Sequence, residues 1–165
     1  MQRFILTVLL FSLRLSTASA QSIKAADEKA PVAIEKTAQG VTPATYKGRV
    51  LTVASGGGVT GFTTYYYLLD DGQLFGKRSR DNTFSFLAKQ TAANTKRIFD
   101  VVEGSCKIKT TKFDKPGNMY KLVQWRKGGQ AYRVAWGDPD KTVPANYPRF
   151  YDSFMSMIPA SLRLK

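Results

Sequence analysis

The chain has 165 residues, with 25 Lys and Arg against 12 Asp and Glu, a formal net charge of +13, one cysteine and no histidine. The missing histidine excludes a nucleophile–imidazole pair and the usual zinc sites, and the lone Cys106 excludes an intramolecular disulfide. The length suits one domain, and the charge bears on solubility and polyanionic partners rather than on fold.

Met1-Gln2-Arg3 is a short positive start, and Phe4 to Leu13 is a ten-residue run that is apolar but for Thr7 and Ser12. Ala18-Ser19-Ala20 then supplies the small residues a signal peptidase reads. That order predicts a secretory signal over residues 1–20, cleaved before Gln21, and hence an exported protein, periplasmic or extracellular. The competing reading, a membrane anchor, needs about 20 apolar residues, so no transmembrane span is expected after cleavage. Residues 21–46 have no aromatic residue before Tyr46, and their charges cancel. They bury too little apolar surface to offset their ordering entropy and are expected as a disordered linker. Residues 47–165 remain as a single domain with 20 Lys and Arg against 9 Asp and Glu, a net +11.

Lys47 to Ala54 is the first strand candidate, with neither face clearly the wet one. Ser55-Gly56-Gly57-Gly58-Val59-Thr60-Gly61 follows as a turn, and then Phe62 to Leu69 as a central strand, apolar or aromatic on both faces. Asp70-Asp71-Gly72 has hairpin chemistry and returns the chain along Gln73 to Ser79, completing a meander. Phe84 to Leu87 is either a fourth short strand or an apolar plug. Thr91 is a suitable N-cap for a helix over Ala92 to Glu103, which places Thr95, Ile98, Phe99 and Val102 on one face, with Gly104 as the stop. The alternation from Lys107 to Phe113 predicts a half-exposed strand, with Cys106 at its start as a small buried hydrophobe. Pro116 and Gly117 occupy the second and third places of a type II turn over Lys115–Asn118. Met119 to Arg126 and Ala131 to Trp136 form a hairpin about Lys127-Gly128-Gly129-Gln130. A last helix over Tyr147 to Ile158 carries Phe150, Tyr151, Phe154, Met155 and Ile158 at helical spacing, between Pro148 and Pro159. The expected class is α+β: a mainly antiparallel sheet of about five to six strands with two helices packed on one face.

The glycine stretch is neither a phosphate loop nor a dinucleotide fingerprint, because an aromatic strand follows where a helix is needed. It is a hairpin or bulge, or else a binding loop of Gly56, Gly57, Gly58, Thr60 and Gly61 that presents its backbone to a partner. Tyr65, Tyr66, Tyr67, Trp125 and Trp136 are core residues, or an aromatic surface in which Tyr65, Tyr67, Trp125 and Trp136 contact sugars or bases. The close acidic pairs, Asp70 with Asp71 and Asp138 with Asp140, read as turns rather than as catalytic or calcium-binding carboxylates. Lys77-Arg78-Ser79-Arg80, the one tight basic cluster, reads as a solvated turn. No catalytic residue, cofactor or metal is assigned.

Four segments together, Ser55–Gly61, Asp71–Phe75 (Asp-Gly-Gln-Leu-Phe), Lys115–Tyr120 (Lys-Pro-Gly-Asn-Met-Tyr) and Ala135–Asp138 (Ala-Trp-Gly-Asp), carry a resemblance. Over about Val50 to Ile158 the chain resembles an uncharacterised family of small exported bacterial proteins and lipoproteins of the kind found in Bacteroidota. It departs from the lipoprotein members in lacking a lipidation cysteine. Gly57-Gly58-Val59-Thr60-Gly61 alone is similar to the Gly-Gly-x-x-Gly strand opening of small bacterial inhibitors of thermolysin-type proteases. The expectation is an exported, non-enzymatic binding domain for a protein or an anionic envelope component, without specific nucleic-acid recognition. Its alternatives are a protease inhibitor using the glycine loop, a basic protein held by envelope polyanions and, least favoured, an enzyme.

Overall fold

The structure, a computed structural model, describes residues 40–165. The expected signal segment and residues 21–39 of the expected linker lie outside the described residues. Seven strands form one sheet: β1 (Arg49–Gly57), β2 (Thr63–Leu69), β3 (Gln73–Arg78), β4 (Ser85–Lys89), β5 (Phe113–Lys115), β6 (Met119–Lys127) and β7 (Gln130–Trp136). Their order is β4-β3-β2-β1-β6-β7-β5, antiparallel throughout except for β5 beside β7. Helices α1 (Ala92–Asp100) and α2 (Asn146–Ser156) complete the α+β fold. The class is the expected one, and the strand count is higher than expected.

Period-two alternation sorts the side chains. Leu51 and Val53 of β1 stand opposite Trp125 and Val123 of β6, and opposite Leu68 and Tyr66 of β2. These six pack with Ile98 and Phe99 of α1 and with Tyr147, Phe150 and Phe154 of α2 in the main core. On the opposite face Val50, Leu69 and Phe75 lie beneath Val41, Tyr46, Tyr67, Phe84 and Phe86, while Ala54, Leu122 and Ala135 lie beneath Tyr65 and Tyr120. β1 therefore shows no wet face because both of its faces are covered. Val41 to Tyr46, assigned to the linker from sequence, is part of that cover. The Thr45 and Tyr46 amides close a turn on the Thr42 carbonyl, and Arg126 Nη2 donates to the Pro43 carbonyl.

The turns and helices follow local chemistry. Gly72 adopts φ 92° in the β2–β3 hairpin, and Gly128 adopts φ 56° in the two-residue β6–β7 loop, both in the left-handed region that favours glycine. Thr91 caps α1, its hydroxyl accepting the Asn94 amide at 3.2 Å, and Thr95, Ile98 and Phe99 are buried on the expected face. In α2, Tyr147, Phe150, Tyr151 and Phe154 are buried.

Two expected elements differ. Lys107 to Phe113 is not a strand. A π-helical turn, Val101–Ser105, extends α1, after which the Cys106 amide donates to the Val101 carbonyl and the Ile108 amide to the Val102 carbonyl. Lys107 takes φ 52°, and the Thr110 and Thr111 amides fold back on its carbonyl. Capping of the helix end thus overrides the alternation, and only Phe113–Lys115 joins the sheet. Cys106 is buried, as expected, but at this helix end rather than at a strand start. The type II turn is also absent, since Gly117 does not adopt the positive φ such a turn requires.

Candidate functional site

β1 runs further than expected, through Gly56 and Gly57, so the turn proper begins at Gly58. Gly57, Gly58 and Gly61 adopt φ of 97°, 72° and 61°. Close approach as well as conformation demands glycine here. A Cβ on Gly57 would overlap the Asn118 carbonyl oxygen, and one on Gly58 would sit 2.8 Å from Met119 Sδ. The chain leaving β5 must cross the end of β7 to enter β6, because β5 and β6 flank β7. It crosses at Gly117, where a Cβ would overlap the Gly137 carbonyl, while a Cβ on Gly137 would overlap the Met119 carbonyl. Ser55–Gly61, Lys115–Tyr120 and Ala135–Asp138 are therefore one backbone junction at one end of the sheet. The fourth segment, Asp71–Phe75, forms a hairpin at the other end.

Four of the six amides from Gly57 to Phe62 are engaged, and those of Val59 and Thr60 are not. Gly57 N–H donates to the Phe62 carbonyl at 3.2 Å, Gly58 N–H to Asn118 at 2.9 Å and Gly61 N–H to Gly58 at 3.1 Å. Phe62 N–H reaches the Thr60 hydroxyl at 3.4 Å. The loop exposes apolar side chains together with Thr60 and Gly61. Val59 is fully exposed, Met119 is 64% exposed and Phe62 is 46% exposed, and these are the exposed large hydrophobic residues among the described residues. All three stand at the glycine end, on the loop or on the β6 residue opposite Gly57. The Arg80 guanidinium lies 5.0 Å from the Phe62 ring centre. Beside the junction a cleft of about 250 Å³ is lined by Ser55, Met119, Tyr120, Lys121, Trp136 and Gly137.

The expected aromatic surface is not assembled. Tyr65 and Tyr67 stack at 6.1 Å on the face away from the helices, with Phe84 edge-on to Tyr67 at 5.2 Å. Burial there pushes the Tyr67 hydroxyl up to about 12. Trp125 and Trp136 belong to the helix face. Trp125 is buried with Leu51 as its neighbour across the sheet, and Trp136 is half-buried against Tyr147 and Tyr151. The side-chain alternation along each strand separates the two pairs. Of the expected loop residues, Gly56 and Gly57 are strand residues, while Gly58, Thr60 and Gly61 shape the turn. The basic cluster divides as well: Lys77 and Arg78 belong to β3, and Ser79 and Arg80 form the turn after it.

Val59, Phe62 and Met119 were not among the expected site residues. The available signal was an apolar residue inside a glycine turn, and a methionine directly after Pro116-Gly117-Asn118, where turn chemistry favours polar side chains.

The far end of the sheet is polar and internally paired. Asp70 accepts from the Tyr46 hydroxyl and from Arg49 Nε and the Arg49 amide, both at 3.1 Å. Glu103 accepts from Arg49 Nη1 and Lys109 Nζ at 3.1 Å and from Trp125 Nε1 at 2.9 Å. Partial burial works to raise both carboxyls, but these donors outweigh it and hold each below the usual carboxylate range. Burial alone pushes the Cys106 thiol up to about 11, away from the thiolate a nucleophile needs. Among the described residues no group of three or more His, Cys, Asp or Glu is placed to hold a metal ion. No helix among them is long and apolar enough to cross a membrane. No protein-family model matches the chain, and none of the curated proteins compared with it matches either.

Proposed function

We propose that this chain is an exported, non-enzymatic binding module that docks through the glycine end of its sheet. The carrying observation is the convergence of Val59, Phe62 and Met119, held exposed by a rigid backbone junction and brought together from segments about sixty residues apart. Exposed apolar side chains gathered at one place mark interaction sites, whereas scattered ones do not. The proposal takes in export of the chain and its kinship with the exported Bacteroidota-type family, both of which rest on sequence. It favours side-chain contact over backbone pairing. A protease inhibitor that paired its loop backbone with an enzyme cleft would have only the Val59 and Thr60 amides to offer, since the other four from Gly57 to Phe62 are engaged. The test is capture from envelope extract by the wild-type chain and by a Val59→Asp, Met119→Asp double variant. The wild type should retain an envelope component that the variant loses, and equal retention would overturn the proposal.

A further inference from the structure

Resting on that docking end, we infer that its partner is an anionic lipid surface, which Val59, Phe62 and Met119 enter while neighbouring cations meet the headgroups. Three observations carry this. The tip is convex: Val59 projects fully from a turn whose shape is fixed from within, so it needs a medium that can close around it. The turn leaves few donors to desolvate, because the amides of Gly57, Gly58, Gly61 and Phe62 have partners and only those of Val59 and Thr60 remain for headgroup oxygens or water. Unpaired backbone donors would otherwise oppose entry into an apolar phase.

Charge is the third observation. Arg80 lies against Phe62, Lys121 lines the cleft beside Met119, and Lys115 directly precedes the crossing. Asp81 pairs with Arg78 at 3.3 Å and Asp114 with Arg133 at 3.6 Å, which leaves Asp138 and Asp140 against Arg80, Lys115 and Lys121. An apolar tip flanked by surplus cations is the combination that holds peripheral proteins on anionic membranes, each basic residue near the surface adding to the attraction.

The test uses the exported chain from Gln21, which omits the apolar run Phe4–Leu13 and retains every described residue. It is mixed with vesicles of phosphatidylglycerol and phosphatidylcholine, and separately with phosphatidylcholine alone. The wild type should sediment with the anionic vesicles and hardly at all with the neutral ones, and high salt should weaken the binding. Val59→Asp with Met119→Asp should lower vesicle affinity about tenfold or more. Thr60→Cys carrying an environment-sensitive dye, with Cys106 protected by burial, should shift to the blue on vesicle addition. Full binding by the double variant, no dye shift, or no binding by the wild type would each overturn the inference. If vesicles fail while the double variant still loses a protein captured from envelope extract, the lipid partner falls and the docking end stands. If neither distinguishes the variant, both fall.

Discussion

The two ends of the sheet are built on opposite plans. At the Arg49 end, side chains hold the structure together: Arg49 bridges Asp70 and Glu103, which ties β1 to the β2–β3 turn and to the end of α1. At the Gly57 end backbones are in contact at Gly57, Gly117 and Gly137, and the Thr63 and Tyr120 hydroxyls join at 2.7 Å across Gly56. A junction made largely of backbone leaves Val59 and Met119, at its rim, outside the core. Apolar groups therefore stay exposed at the glycine end, whereas at the other end the polar groups are consumed by one another. The contrast shows that a glycine-rich stretch can matter for what it permits nearby rather than for anything its own atoms contact.

The comparison breaks most severely at Gly57. Gly57→Val combines a left-handed backbone with overlap on the Asn118 carbonyl and should cost about 3 kcal/mol or more in a urea titration. A loss below about 1 kcal/mol would mean that the junction relaxes easily. Next comes Glu103→Gln, which should destabilise by about 1–2 kcal/mol, moderated by the solvent that reaches a partly exposed cluster. A double-mutant cycle with Trp125→Phe should show coupling, and additive losses would remove Glu103 from the network.

The third expectation is a pH profile. Asp70 and Glu103 sit below their usual range in the folded state, so the stability they contribute is present above the unfolded-state values of about 4. It is lost as pH falls through the lower folded-state values. With no histidine in the chain, thermal stability should be nearly level from pH 8 to 5 and fall below about pH 4. A step near pH 6 would contradict this assignment. The smallest effect sharpens the contrast: Val59→Asp with Met119→Asp should change stability by no more than about 0.5 kcal/mol, because neither side chain is buried.

Local signals in the sequence located much of this fold. Asp-Gly at 71–72 and Gly-Gly at 128–129 carry the hairpin chemistry the structure uses, and Thr91 and the Thr95, Ile98, Phe99 face define α1. Signals that depend on distant partners misled. The alternation at Lys107–Phe113 is that of a strand, yet helix capping controls it, and the parallel pairing of β5 with β7 is a contact no local pattern encodes. Gly117 illustrates the same limit. In sequence it is a turn glycine after proline, and in space it is a glycine because Gly137 lies against it. Half of the candidate site was legible, since the glycine stretch drew attention at once. Its exposed partner Met119 becomes visible only once β1 and β6 are paired.

That pairing has a consequence for the order in which the protein can form. β1 through β4 come from the first part of the domain and β5 through β7 from the second, and the β1–β6 seam alone joins the two groups within the sheet. A chain halted during synthesis before Met119 would hold a four-stranded meander whose longest strand has one bare side. An unpaired strand edge of that length invites association with other chains. The chain from Met119 onward therefore does more than finish the molecule: β6 closes the edge that β1 leaves open.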